Sequence, residues 1–172
     1  DVQAGAWTKA FESGKFIRKS SEFRDIIEVD GTFDVESDRY HLYISHACPW
    51  AHRTLITRAI LGLEKHITVD VVDWRMNPNG SWSFNPDEEG ATADTINGED
   101  SLEGIYNRAF DGWSASGNIG TVPVLWDKKH ETIVNNESSE IILMLDTLAQ
   151  SGLGNGATLC PAQLKQDIEA MI

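Results

Sequence analysis

The stretch His46-Ala47-Cys48-Pro49-Trp50-Ala51-His52-Arg53 constrains this chain more than any other. It follows an apolar, strand-like run, Tyr40 to Ser45, and opens an apolar helical run from Ala51 to Leu63 that should end near Gly62. A strand, a cysteine and then a proline in the first helical turn together present a thiolate. Proline has no N–H to lose at the first helical position, and its φ suits a helix start. The free N–H groups and positive end of the helix favour a negative sulfur. Arg53 adds a cation one turn on. The residue after Trp50 is Ala51, so the pattern is not Cys-x-x-Cys. The reading is a lone nucleophilic thiol that needs a second thiol from outside, glutathione being the foremost candidate.

Charge removes several classes of partner. Twenty-seven acidic residues against 14 basic ones give a formal charge of -13. Phosphate binding needs a basic surface, so neither nucleic acid nor an anionic membrane surface is an expected partner. At 172 residues, 41% hydrophobic and 24% charged, the chain is long enough and apolar enough to bury a core. No apolar run approaches the roughly 20 residues of a membrane span. No secretory signal stands at the start, which is Asp1 rather than Met, compatible with an upstream segment removed or left out. Cys48 and Cys160 are the only cysteines, which is not a secreted disulfide framework. A reducing compartment is expected, cytosol or an organelle interior such as a plastid.

Along the chain, residues 1–39 are polar with scattered aromatics (Trp7, Phe11, Phe16, Phe23, Phe33) and read as an extension wrapped over a domain. Ile67 to Val72 reads as a second strand. Asp73 to Asp100 is irregular, and loops of that length are usually functional or disordered. Trp82 and Phe84 lie inside it. They either pin the loop to the body, or Trp82 lines a ligand site. Ser101 to Phe110 reads as a helix that Ser101 caps and Glu103 supports. Thr121 to Asp127 is a strand whose Pro123 is compatible with a cis bond beside an active site. Thr132 to Val134 is a short strand. Asn135-Asn136-Glu137-Ser138 leads into an apolar helix, Ser139 to Ala149. A Gly-rich linker, Gly152 to Pro161, precedes another helix from Ala162 to Ile172.

The order β-α-β, then α-β-β-α, is the thioredoxin arrangement. It predicts an α/β fold in which a four-stranded mixed sheet is flanked by helices, with a right-handed βαβ unit. Cys48 would sit at the first helix N-terminus, Val122-Pro123 across from it, and Glu137-Ser138 at the opening of the last helix.

Three segments carry a family resemblance: Arg39-Tyr40-His41-Leu42-Tyr43 running into Ala47-Cys48-Pro49-Trp50-Ala51-His52-Arg53-Thr54; Thr121-Val122-Pro123-Val124-Leu125-Trp126-Asp127-Lys128; and Ile133-Val134-Asn135-Asn136-Glu137-Ser138-Ser139-Glu140-Ile141-Ile142. Together with Arg18-Lys19-Ser20 and Phe23-Arg24 in the extension, they resemble the glutathionyl-hydroquinone reductases, the xi class of glutathione transferases. The resemblance implies that Cys48 is the nucleophile, attacking the glutathione sulfur of a glutathionyl-hydroquinone, and that a second glutathione resolves the mixed disulfide. It implies glutathione contacts at Trp82, at the Val122 backbone, and at Glu137 and Ser138 for the γ-glutamyl end. Ser138 and the helix amides suit the carboxylate, and Glu137 the ammonium. The family pattern has an arginine shortly before Thr-Val-Pro, where this chain has Gly117-Asn118-Ile119-Gly120.

The resemblance also implies an organisation. Residues 1–39 are the extension, 40–151 a thioredoxin-like glutathione-binding domain, and 152–172 a linker and the first helix of an all-α C-terminal domain. A full-length chain would be a homodimer. A truncated one would be a subunit of a larger assembly, docking through an exposed stripe of Leu164, Ile168, Met171 and Ile172.

Blander roles remain beside these. Cys160 in its Gly-rich linker reads as incidental. His46 and His52 read as surface or capping residues, and Trp50 as packing. His41, His66 and His130 lack metal-ligand spacing, so no metal is expected. Two other functions stay open: a transferase-like module kept for structure or interaction, and a monothiol glutaredoxin-like protein that deglutathionylates protein thiols.

Overall fold

The computed structural model describes residues 11–12, 15–16, 21–78, 80–116 and 118–171. Near the N-terminus β1 (Phe11–Glu12) pairs antiparallel with β2 (Lys15–Phe16). The main sheet consists of β3 (Tyr40–Ile44), β4 (Ile67–Val71), β5 (Val124–Asp127) and β6 (Thr132–Asn135), in spatial order β4-β3-β5-β6. β3 and β4 run parallel, while β5 is antiparallel to both β3 and β6. The expected mixed four-stranded sheet is therefore present. Every residue of β3 is buried, as a central strand covered on both faces requires.

Helix α1 (Pro49–Ile60) connects β3 to β4, α2 (Leu102–Ala109) precedes β5, and α3 (Ser138–Leu148) follows β6. Helix α1 stops at Ile60, three residues short of the expected Leu63. The stop is a Schellman arrangement: Leu63 N–H donates to Arg58 O (3.0 Å), Gly62 N–H donates to Ala59 O (3.1 Å), and Gly62 takes φ 71°. A side chain at Gly62 would also meet Asn155, which donates to Ile60 O (2.9 Å). The linker after α3 is thus folded back onto the end of α1. Asp146, buried in α3, holds it from the other side by accepting from Leu159 N–H (2.7 Å) and Thr158 Oγ (3.1 Å).

The expected last helix begins as a 3-10 turn at Ala162–Leu164 and continues as α4 (Lys165–Met171). Leu164 and Met171 are exposed and Ile168 is half-buried, while Ile172 lies outside the described residues.

The extension packs on the domain from residue 21 onward. Asp25 N–H donates to Val134 O (3.1 Å) and Asn136 N–H to Phe23 O (3.2 Å), so this segment borders β6. Ile27 and Phe33 are buried, and Phe23 packs on Tyr106 and Trp113 with centroid distances of 5.7 and 5.4 Å. Trp7 and the Phe11 and Phe16 side chains lie outside the described residues.

The long stretch 73–100 is irregular in shape but tied down. Asp94 accepts from Tyr43 OH (2.9 Å) and from the N–H groups of Ile96, Asn97 and Glu99. Asp70 accepts from Thr95 N–H (2.6 Å). A loop whose backbone donors converge on two buried carboxylates has a fixed course.

Candidate functional site

Cys48 is the N-cap of α1, with extended backbone (φ -101°, ψ 114°) and Pro49 as the first helical residue. Its N–H donates to Ser45 O (3.1 Å), and Ser45 Oγ accepts from Ala47 N–H (3.3 Å) while donating to Asp73 O (3.3 Å). The end of β3 is therefore pinned and delivers the thiol to a defined place. Cys48 is half-buried, and its Sγ–H donates to Val122 O at 3.4 Å. The Val122–Pro123 peptide is cis, as Pro123 suggested. Cys160 is buried and unpaired, well away in the chain from this thiol.

The loop carrying Val122 and the loop carrying Glu137 share one anchor. The Tyr106 hydroxyl donates to Thr121 O (2.9 Å) and accepts from Asn136 Nδ2 (2.9 Å) and from Thr121 N–H (3.3 Å). Burial pushes this phenol up from its ordinary value, so it stays neutral and keeps both donor and acceptor roles. Gly120 permits the contact, since a Cβ there would come within 2.9 Å of the Tyr106 ring. Sequence reasoning passed over Tyr106 and Asn136. The signal was a tyrosine on the inner face of α2 and a polar residue directly before Glu137.

Glu137 caps α3. Its Oε1 accepts from Ser139 N–H (3.4 Å) and Ser139 Oγ (3.3 Å), and its Oε2 accepts from Ser21 Oγ (3.1 Å). Ser138 is the buried first residue of the helix. Arg53 reaches across from α1. Its Nη2 donates to Ser138 Oγ (2.5 Å) and lies 3.6 Å from Glu137 Oε1. Its position one turn beyond the thiol suggested a cation for the sulfur. The fold instead directs its guanidinium at Ser138 and Glu137, because α1 and α3 lie side by side.

Five residues were singled out by resemblance. The structure brings Cys48 to Val122, and Arg53 of α1 reaches both Glu137 and Ser138. Trp82 is half-buried against the core, and its carbonyl accepts from Leu102 N–H (2.8 Å) at the start of α2. Its backbone thus ties the loop to the start of α2. Phe84 is buried, as a pin for the loop requires, and Trp82 is partly exposed. Among the described residues no cluster of His, Cys, Asp or Glu is arranged to hold a metal ion, and no helix is long and apolar enough to cross a membrane.

A half-exposed thiol beside a cis-proline loop, at the N-terminus of a helix packed against an acid-capped one, defines a glutathione-transferase type of thioredoxin fold. Comparison agrees. The family model "Glutathione S-transferase, N-terminal domain" matches residues 47–148, and the chain belongs to that family. Within it the similarity is to the xi class. The chain is 45% identical over 166 residues to glutathionyl-hydroquinone reductase YqjG of Escherichia coli, covering 92% of this chain and 49% of that protein. The xi glutathione transferase of Phanerochaete chrysosporium superposes with a TM-score of 0.81 at 42% identity, covering 90% of this chain and 52% of that one. The glutathione-bound structure of YqjG superposes with a TM-score of 0.76 at 42% identity, covering 87% and 50%. The chain spans about half the length of these relatives.

Proposed function

We propose that the protein reduces glutathionyl-hydroquinones at the expense of glutathione, with Cys48 as the nucleophile and glutathione as co-substrate. The Cys48 thiolate attacks the glutathione sulfur of the conjugate. A sulfur–sulfur bond forms and the carbon–sulfur bond breaks. Its electron pair stays with the ring carbon, which takes up a proton, and the hydroquinone leaves. A second glutathione thiolate then attacks the mixed disulfide, giving oxidised glutathione and free Cys48.

The observation that carries this reading is the placement of Cys48: a half-exposed sulfur at the N-cap of α1, 3.4 Å from Val122 O. The other cysteine, Cys160, is buried, so the resolving thiol comes from outside. In this reading Trp82 flanks the tripeptide and the Val122 backbone pairs with its cysteinyl unit. Glu137 and Ser138 hold its γ-glutamyl end. Residues 40–151 form the glutathione-binding unit, and 152–172 lead toward a helical part that completes the hydroquinone pocket.

The test is turnover of a glutathionyl-hydroquinone with glutathione, followed by release of hydroquinone. Wild type and Cys160→Ala should turn over, Cys48→Ala should not, and intact mass should find glutathione on Cys48. Undiminished activity in Cys48→Ala would sink the mechanism.

A further inference from the structure

The strand that delivers Cys48 also holds the loop that carries Trp82, through Tyr43 of β3. We propose that Tyr43 is a positioning residue for glutathione, its hydroxyl setting this loop so that Trp82 flanks the bound tripeptide. The proposal rests on glutathione being the co-substrate and Trp82 one of its contacts.

Three observations lead there. First, Tyr43 meets the loop in two places. Its ring lies edge-on to Phe84 with centroids 5.6 Å apart, and its hydroxyl donates to Asp94 Oδ1 (2.9 Å) and accepts from Asn97 Nδ2 (2.9 Å). The side chain is fully buried, and a phenylalanine would fill the same space between His41, Phe84 and Trp126. A buried hydroxyl costs free energy unless it is hydrogen-bonded, and both bonds of this one go to the loop. Burial, with Asp94 beside it, pushes the phenol up from its ordinary value, so it stays protonated and donates. Second, Asp94 passes the hold along the chain. The same carboxylate accepts from Ile96 and Asn97 N–H at Oδ1 (3.0 and 3.2 Å) and from Glu99 N–H at Oδ2 (2.9 Å). Third, the residues that follow hold the backbone around Trp82. Phe84 N–H donates to Asp100 O (3.0 Å), Leu102 N–H donates to Trp82 O (2.8 Å), and Ser83 bridges Ser101 antiparallel.

Tyr43 and Cys48 belong to one short stretch of chain: β3 ends at Ile44, and Ser45 O accepts from Cys48 N–H (3.1 Å). Holding the Trp82 loop to that strand sets it relative to the thiol before a ligand arrives. A contact organised in advance costs less ordering on binding. Removing the hydroxyl loosens this arrangement without unfolding the loop. Thr95 N–H stays on Asp70 Oδ2 (2.6 Å), Asp73 N–H stays on Ser83 O (2.8 Å), and the Asp94 carboxylate keeps its N–H donors.

A tyrosine that merely stabilises the core would also weaken the fold when trimmed, so the test asks whether Tyr43 acts through Trp82. Glutathione affinity is measured calorimetrically in wild type, Tyr43→Phe, Trp82→Ala and the double variant, and Cys48 is alkylated with iodoacetamide in each. Tyr43→Phe should weaken glutathione about fivefold, the worth of one hydrogen bond. The alkylation rate should stay within about twofold, since Ser45 and Val122 hold the thiol separately. In the Trp82→Ala background the same change should cost less than about twofold, because residues that act as a unit are non-additive. An equal loss in both backgrounds, no loss in either, or an alkylation rate that shifts along with affinity overturns the proposal. If Tyr43→Phe fails to fold, Asn97→Ala, at a partly exposed loop position, decides by the same comparison. Unchanged affinity there overturns it too. A Trp82→Ala protein that binds glutathione as wild type does would sink the Trp82 contact, and wild type that binds none would sink the co-substrate reading. Both differ from an affinity that depends on Trp82 and ignores Tyr43.

Discussion

Arg39 and Asp127 show what single side chains contribute. Both are buried, and Arg39 Nε and Nη2 donate to the two carboxylate oxygens of Asp127 at 2.9 and 2.7 Å. Burial pushes the Asp127 carboxyl up, but the Arg39 guanidinium, the Lys129 N–H and His130 outweigh it and hold it below the usual carboxylate range. The folded form therefore binds this proton less tightly than the unfolded chain. The stabilisation is complete above the ordinary aspartate value of about 4 and is lost as pH falls through the depressed folded value. Asp127→Asn should cost about 3–5 kcal/mol at neutral pH by stranding the Arg39 cation. Denaturant midpoints followed from neutral to acid pH should show the gap to wild type narrowing. A gap independent of pH would mean that the carboxylate charge is not what Arg39 needs. At the proposed glutathione site, Glu137→Ala should weaken glutathione by about 1.5–3 kcal/mol, read by calorimetry. Equal affinities would remove Glu137 from the binding site.

At the scale of elements, α2 does two jobs. Ser101 caps it, its Oγ accepting from Gly104 N–H at 3.4 Å. Ser101→Ala should cost about 1 kcal/mol. Tyr106, one turn before the helix ends, bridges the loops that carry Val122 and Glu137. Tyr106→Phe leaves Thr121 O and Asn136 Nδ2 without their partner in a buried place. The expected loss is about 1–3 kcal/mol, with a raised KM for glutathione. The two substitutions should differ in kind: the Ser101 change lowers the thermal midpoint and leaves KM alone, while the Tyr106 change moves both. Unchanged KM in Tyr106→Phe would reduce that residue to a core filler.

At the scale of the molecule, the extension is part of the fold from residue 21 on. Phe33 is 7% exposed and meets the His130 ring at 5.7 Å, and Thr32 O accepts from Arg39 Nη2 (2.9 Å). Arg24 pairs with Glu140 on α3, and Ser21 with Glu137. Phe33→Ala should cost about 3–5 kcal/mol in urea unfolding, the range for a buried aromatic. A loss below about 1 kcal/mol would show the segment to be a loose wrapper. Ile56 and Ile60 of α1, Leu164 in the 3-10 turn and Met171 of α4 are exposed apolar side chains.

Local chemistry was sufficient for much of this. Cys-Pro after an apolar strand specified the helix start, Gly62 its end region, Ser101 a cap and Pro123 a cis bond, because each depends on near neighbours. The order of elements then fixed the sheet. Cys48 was legible as a candidate because it stands at a helix opening, which sequence marks, while Glu137 and Ser138 were singled out by the family resemblance. What sequence could not show are contacts between segments distant in the chain. Arg53 read as a cation for the thiol, yet the packing of α1 against α3 turns it toward Ser138 and Glu137. Tyr106 drew no notice within its helix, yet its hydroxyl joins Thr121 to Asn136. Asp94 and Asp70 sat unnoticed in and beside an acid-rich stretch, yet they convert a loop into fixed structure. A hydrogen bond depends on direction and distance, and across 85 residues, as between Arg53 and Ser138, only the folded chain supplies either.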